Sequence, residues 1–242
     1  MEIKKIATIY NDYTEKFGIP RQSGLVSGVK SRIVFDKPYR VREALKGLEG
    51  FSHIWLIWEF SEATGTGFRP TVRPPRLGGN TRMGVFATRS PFRPNSLGLT
   101  VVRLEEIQDT EQEGTVLIVS GADLMSGTPI YDIKPYLPYV DSIPDAIGGF
   151  TEQTREYRIP VTVTETAAEE AKRLGYSDQW LQTVCELLSQ DPRPAYREDG
   201  ERVYGMQFGN AELRFQIRDG RLLLQTVLPA DGTGRNRNCR EV

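Results

Sequence analysis

Up to about residue 150, apolar positions fall in short runs with the two-residue alternation of β-strands, broken by Pro, Gly and Asp. Residues 4–12 and 24–35 are rich in β-branched and aromatic side chains and read as strands. Residues 39–48 carry Val41, Leu45 and Leu48 at helical spacing, with Gly47 and Gly50 near the end, and read as a short helix. The segment 51–60, FSHIWLIWEF, reads as a buried strand with Ile54, Leu56 and Trp58 on one face and Trp55, Ile57 and Glu59 on the other. Residues 83–88 form a further short strand, and 96–107 a longer one. An acidic turn pairs that strand with 115–124 as a hairpin. Prolines in 128–146 exclude a long helix there.

From about residue 152 the pattern changes. Residues 157–165 suit a strand. Residues 164–190 are the one long helical stretch, split at Gly175 with Ser177 as the next N-cap. DPRPAY (191–196) is a stiff extended linker, and 201–229 reads as three strands, with Arg218-Asp219-Gly220-Arg221 as a hairpin turn. The fold class is therefore mainly β. Residues 1–150 suggest a barrel or sandwich, residues 151–228 a smaller α+β domain, and residues 229–242 a flexible tail. No alternation of strand and helix supports a doubly wound sheet.

Charge changes this picture at one place. The chain is nearly balanced, with 31 basic and 32 acidic side chains. Between Ala63 and Leu104, however, stand Arg69, Arg73, Arg76, Arg82, Arg89, Arg93 and Arg103, with no acid, Lys or His. Guanidinium groups on Pro/Gly-stiffened loops suit an external anion, above all phosphate. The competing reading is a solubilising loop whose charges pair with acids elsewhere.

No apolar run approaches the ~20 residues of a membrane span, and the N-terminus lacks the apolar stretch of a secretory signal. Cys185 and Cys239 make no framework of disulfides, so a reduced, cytoplasmic protein is expected. With His53 the single histidine, neither a Cys/His zinc site nor a range of Ser-His-Asp triads is available.

Two further groups carry candidate chemistry. In 87–100, Arg89 and Arg93 flank Pro91 and Phe92, with Asn95 following Pro94. In 121–142, Asp132, Lys134, Tyr136, Tyr139, Asp141 and Ser142 cluster polar and aromatic groups. Asp132 and Lys134 would share a strand face and pair. Each group has a purely structural alternative: a rigid turn for the first, an ion pair capping the core for the second. Arg193 and Tyr196 of DPRPAY could clamp an RNA base or merely stiffen a linker.

These segments, FSHIWLIWEF, RPPRLGGNTRMGVFATRSPFRPNSLGLT, GTPIYDIKPYLPYVDS and DPRPAY, stand in the same order as in the TsaA-like family, and the chain most resembles its TrmO branch of tRNA methyltransferases, up to about residue 228. The resemblance implies a single-sheeted β-barrel that binds S-adenosyl-L-methionine, working as a homodimer with the cofactor near the subunit interface. It implies methylation of N6 of threonylcarbamoyladenosine beside the anticodon of threonine tRNA, and a C-terminal domain that some relatives lack. Carried over residue by residue, it implies cofactor contacts from His53, Phe86, Arg89, Ser90, Phe92, Arg93, Asn95, Asp132, Ile133, Lys134, Asp141 and Ser142. Asp132, Lys134 and Tyr136 are the candidate catalytic residues. Arg69, Arg73, Arg76, Arg193 and Tyr196 are the candidate tRNA contacts, and no metal is implied. A proton acceptor stays open among His53, Tyr136, Asp141 and water. Family members commonly read NPIGL where this chain has Asn95-Ser96-Leu97-Gly98-Leu99. Rival readings are the same fold acting on another acceptor, a non-catalytic RNA-binding or cofactor-sensing module, and a structural dimer.

Overall fold

The computed structural model of the protein describes residues 2–63, 65, 67–77, 81–154, 157–193 and 202–230. Strands β1 (Ala7–Tyr10), β2 (Lys30–Phe35) and β3 (His53–Glu59) are followed by a two-residue ribbon, β4 (Thr71–Val72) and β5 (Met83–Gly84). The long β6 (Leu97–Thr110) forms a hairpin with β7 (Gly114–Ser120), and β8 (Pro129–Pro135) leads into a single turn, α1 (Pro138–Asp141). Pairing runs β1-β2-β7-β6-β3-β8, and β8 returns to β1, so the ring closes.

The alternation in β3 is as the sequence predicts: Ile54, Leu56 and Trp58 point into the ring beside Ile9, Ile33, Val102, Leu117 and Ile130. The helix expected over 39–48 is not formed. The chain makes separate 3₁₀ turns at Arg42–Leu45 and Leu48–Gly50. Leu45 ends the first turn and Leu48 begins the second, and the break between them, with Gly47 at φ 89°, lets both pack against the ring's core. The expected strand at 83–88 shrinks to β5, because a 3₁₀ turn at Val85–Ala87 drops Val85 into the interior.

The second unit has a four-stranded sheet in the order β10-β11-β12-β9, comprising β9 (Val161–Val163), β10 (Val203–Phe208), β11 (Ala211–Arg218) and β12 (Arg221–Pro229). Helices α2 (Glu165–Arg173) and α3 (Asp178–Leu188) break at Gly175 as predicted, and the Ser177 hydroxyl caps α3 by accepting from the Trp180 N–H at 3.2 Å. Tyr13, Val26 and Val29, from early in the chain, are buried in this second core with Val184, Leu188, Phe208 and Phe215. The edge strand β10 is also covered by that early segment. The Gln207 N–H donates to Glu15 Oε1 at 2.7 Å, and the Gly209 N–H donates to the Asp12 carbonyl at 2.8 Å.

Candidate active site

Where β3 and β6 pair, Trp58 lies opposite Gly98, with Thr100 two residues further along β6. The Trp58 indole N–H donates to Thr100 Oγ1 at 3.0 Å, and the Thr100 hydroxyl donates to Asp123 Oδ1 at 2.8 Å. Asp123 follows β7 and is half-buried. Burial pushes its carboxyl pKa up, against the Thr100 hydroxyl, nearby backbone donors and the positive field of Arg89, which pull it down. The relay therefore ends on a half-buried carboxyl group at the edge of a cleft.

It opens onto a cleft of about 710 Å³, with Trp58, Phe60 and Phe92 as apolar walls and Arg89 and Arg93 among its cationic lining. That size and makeup suit a small molecule with a flat ring, hydroxyls and a negative end. Arg89 Nη1 donates to the side-chain oxygen of Gln22 at 2.6 Å, fixing the guanidinium against the 20–25 segment. Arg93 braces its own loop, donating to the carbonyls of Thr88 at 2.7 Å and Val85 at 3.1 Å. Ser90 also serves the loop, accepting from the Phe92 N–H at 3.4 Å. Asn95 is exposed just past it. A second cavity, of about 520 Å³, is lined by Arg42, Lys46, Glu43, Glu49, Glu105 and Glu106, among others, and includes none of the predicted residues.

Of the predicted cofactor residues, the cleft gathers Arg89, Phe92 and Arg93. Phe86 lies outside it, 71% exposed, with its ring beside Phe68 at 6.3 Å and the Arg93 guanidinium 5.5 Å above it. His53, Asp132, Lys134, Tyr136 and Asp141 assemble instead on the outer face of β3 and β8. Asp132 and Lys134 pair at 3.0 Å, as their spacing predicts, and both stay exposed to solvent. Asp132 also accepts from the N–H of the next residue, Ile133, at 2.9 Å in the middle of β8. The Tyr136 ring packs on His53 and Trp55, and Ser52 Oγ sits 2.9 Å from His53 Nδ1. Asp141 accepts from the Leu137 N–H at 2.8 Å and the Trp55 indole N–H at 3.0 Å. Those two donors hold its carboxyl below the usual range, which makes it a turn-holding anion and a weak proton acceptor. Ser142 ends the same turn in the open. Trp55 joins the two groups, since it also lines the cleft.

Gln22, Trp58, Thr100 and Asp123 were not singled out by the sequence. The one available signal was a lone acid in an apolar stretch after a strand, at Asp123.

The candidate nucleic-acid contacts divide. Arg69 and Arg73 are exposed, and the Arg69 guanidinium stacks 4.2 Å over Phe92. The Arg76 side chain and Tyr196 lie outside the described residues. Arg193 is engaged within the protein: Nε and Nη2 both donate to the Asp191 carboxylate at 2.9 Å, with little of either side chain exposed. Among the described residues, no cluster of three or more His, Cys, Asp or Glu could hold a metal ion, and no helix is long and apolar enough to cross a membrane.

A closed ring of strands with an aromatic, cation-lined cleft at its wall defines a strand-built ligand-binding protein, distinct from the doubly wound folds that hold nucleotides at a Gly-rich turn. The profile of the tRNA-methyltransferase O N-terminal domain matches residues 8–142, and that of the TrmO C-terminal domain matches residues 156–230. The chain belongs to the TrmO family. It is 40% identical over 223 residues to the tRNA (adenine(37)-N6)-methyltransferase of Escherichia coli, covering 90% of this chain and 94% of that protein. It is 46% identical over 183 residues to the enzyme of the same name from Eikenella corrodens, covering 75% and 99%. A crystal structure of TrmO from Pseudomonas aeruginosa superposes with a TM-score of 0.75 at 32% identity, covering 94% of this chain and 98% of that one.

Proposed function

We propose that the protein is an S-adenosyl-L-methionine-dependent tRNA (adenine-N6)-methyltransferase that acts on threonylcarbamoyladenosine at the position 3′ of the anticodon in threonine tRNA. The observation that carries this reading is the cleft at the Trp58–Thr100–Asp123 relay, together with relatives named as tRNA (adenine(37)-N6)-methyltransferases.

The residues present fit the cofactor. Trp58, Phe60 and Phe92 offer flat apolar walls for an adenine ring. Asp123, kept oriented by Thr100, accepts from hydroxyl or amino groups. Arg89, fixed by Gln22, is placed to pair with the carboxylate end. The bound cofactor supplies an electrophilic methyl on a sulfonium. The protein then has to align donor and acceptor and keep water out, and holding reactants in line can supply several kcal/mol of the barrier, up to about 7–11 in well-oriented cases. The acceptor nitrogen carries a carbonyl group, so a weak base suffices to take its proton.

The RNA side is the arginine segment. Phe86 and Phe68 present exposed rings flanked by Arg93 and Arg69, a surface suited to stacking an unpaired base while guanidinium groups neutralise phosphate. In this reading the closed ring is a single-sheeted barrel, and the protein is a cytoplasmic homodimer. Leu99 at 54% exposure on the outer sheet, and Tyr139, Val140, Ile143 and Ile147 on the segment after β8, leave apolar surface for a second copy. Residues 1–150 form the cofactor-binding unit and 151–228 the second unit, although Tyr13, Val26 and Val29 belong to the latter's core.

The test is incubation with methyl-labelled cofactor and tRNA carrying or lacking the threonylcarbamoyl group. Label should enter only the modified tRNA. Transfer to unmodified tRNA or to small metabolites would shift the activity to another acceptor, and binding without transfer would make the protein a non-catalytic module.

A further inference from the structure

Residues 19–22 line one side of the cleft, and the stretch that runs on to Gly28 is held by residues more than a hundred positions away. Its anchor is a compact knot at the start of DPRPAY. Asp191 is buried and has a left-handed backbone, φ 51°, a conformation that Asp adopts more readily than most non-glycine residues. Its carboxylate accepts Nε and Nη2 of Arg193, each at 2.9 Å, and the Tyr157 hydroxyl at 3.0 Å. Burial raises the Asp191 pKa, but these donors outweigh it and hold the carboxyl below its usual range. The bend turns the carbonyls of Asp191 and Arg193 toward Arg21, whose Nη2 donates to them at 3.0 and 3.3 Å.

Arg21 is followed by Gln22, the residue that receives Arg89 in the cleft. The neighbouring ties run the same way. Arg158 donates to Ser189 Oγ at 3.0 Å and to the Leu25 carbonyl at 3.3 Å. An ideal Cβ on Gly28 would stand 2.0 Å from Thr183 Oγ1 of α3, so the segment lies directly on that helix. On its other side the Gly24 N–H donates to the Gly121 carbonyl at 2.9 Å, two residues before Asp123.

We infer that the Asp191–Arg193 knot is a positioning device for the cofactor cleft: through Arg21 it sets Gln22 and Arg89, so the second unit serves cofactor binding rather than RNA grip. This rests on reading the cleft as the S-adenosyl-L-methionine site. Arg193 is a positioning residue, since it stands outside the cleft, whereas Arg21 also lines the cleft, so Arg193→Lys is the variant that reports positioning alone.

The test uses the full chain with Arg193→Lys and Arg21→Lys. Each keeps the charge but loses the planar fork. Cofactor Kd by calorimetry, both Michaelis constants, tRNA affinity and Tm are compared with wild type, and Asp123→Asn serves as a direct cleft variant. Loss of one charge-assisted hydrogen bond predicts cofactor affinity weakened about tenfold in both Lys variants. The KM for tRNA and the salt dependence of tRNA binding should stay at wild-type values. Wild-type cofactor affinity in both Lys variants, with Asp123→Asn weakened, overturns the inference and leaves the cleft reading standing. An equal rise of both Michaelis constants with a lowered Tm, or a loss confined to tRNA binding, also overturns it. Wild-type cofactor affinity in Asp123→Asn overturns the cleft reading itself, and the inference with it.

Discussion

Replacing Gly98 by Ala adds one methyl group where the structure leaves no space for it. An ideal Cβ there would stand 2.3 Å from Cε2, 2.4 Å from Cζ2 and 2.7 Å from Cδ2 of Trp58, whose indole lies across the opposite strand position. Carbon atoms settle at about 3.5–4.0 Å, so the ring must retreat by more than about 1 Å. It has little freedom to do so: Trp58 is 7% exposed, and its ring lies 4.3 Å from that of Phe60. Overpacking of this kind costs about 1–3 kcal/mol. Pulling Nε1 away from Thr100 adds about 0.5–1.5 kcal/mol, and Ala in place of Gly in a strand returns about 0.5–1 kcal/mol. The net loss falls within about 0.5–4 kcal/mol and centres near about 2 kcal/mol, which is about 4–8 °C in Tm for a chain of this size. Thr100 also loses the donor that orients its hydroxyl toward Asp123, so cofactor affinity should fall in parallel. Thermal denaturation followed by circular dichroism and calorimetric titration of the cofactor read both effects. Gly84→Ala is the control, because no atom lies within 4 Å of the Cβ it would add. A Gly98→Ala protein that melts within a degree of wild type and binds the cofactor equally well would refute the account of Trp58 as a wedged wall.

Three further outcomes are expected. The raised pKa of Asp123 means that the fold favours its protonated form. Its stabilising contribution is complete below the unfolded-state pKa and disappears as pH rises through the folded value, so Asp123→Asn should match or exceed wild-type Tm at pH 7 while losing cofactor affinity; Tm profiles from pH 4 to 8 that run parallel for the two proteins would exclude this. Alanine at Arg69, Arg73 and Arg76 together should flatten the salt dependence of tRNA binding, whereas Phe86→Ala should weaken binding with the slope kept, and filter binding across a salt series tells these apart. Asp132→Ala should reduce methyl transfer more than tRNA binding; unchanged turnover would remove the outer-face Asp132–Lys134 pair from the chemistry.

Much of the fold could be read from local pattern. The alternation of β3, the break at Gly175 with its Ser177 cap, the β6–β7 hairpin and the Asp132–Lys134 pair each depend on residues a few positions apart. The 39–48 turns are not legible because Leu45 and Leu48 mimic helical spacing, while the left-handed Gly47 between them breaks the chain into two 3₁₀ turns. The cleft was only half legible. Arg89, Phe92 and Arg93 announce themselves by charge and proline spacing, but Gln22, Trp58, Thr100 and Asp123 come from separate segments, and the packing around the ring's wall brings them together. The Asp191–Arg193 pair is not legible either, because its two residues meet through a left-handed backbone at Asp191 that no periodicity encodes.

The cover that the early segment provides for β10 bears on how this chain can be divided. A ring without ends presents no open row of amides, but an open sheet does, and here that row is shielded by Glu15 and Asp12 from the opposite end of the polypeptide. Cutting between the two family domains would strip the shield and leave a naked strand ready to template pairing with its own copies. The first half of this protein thus guards the second, and inheritance of the second alone would demand a new way to blunt that margin.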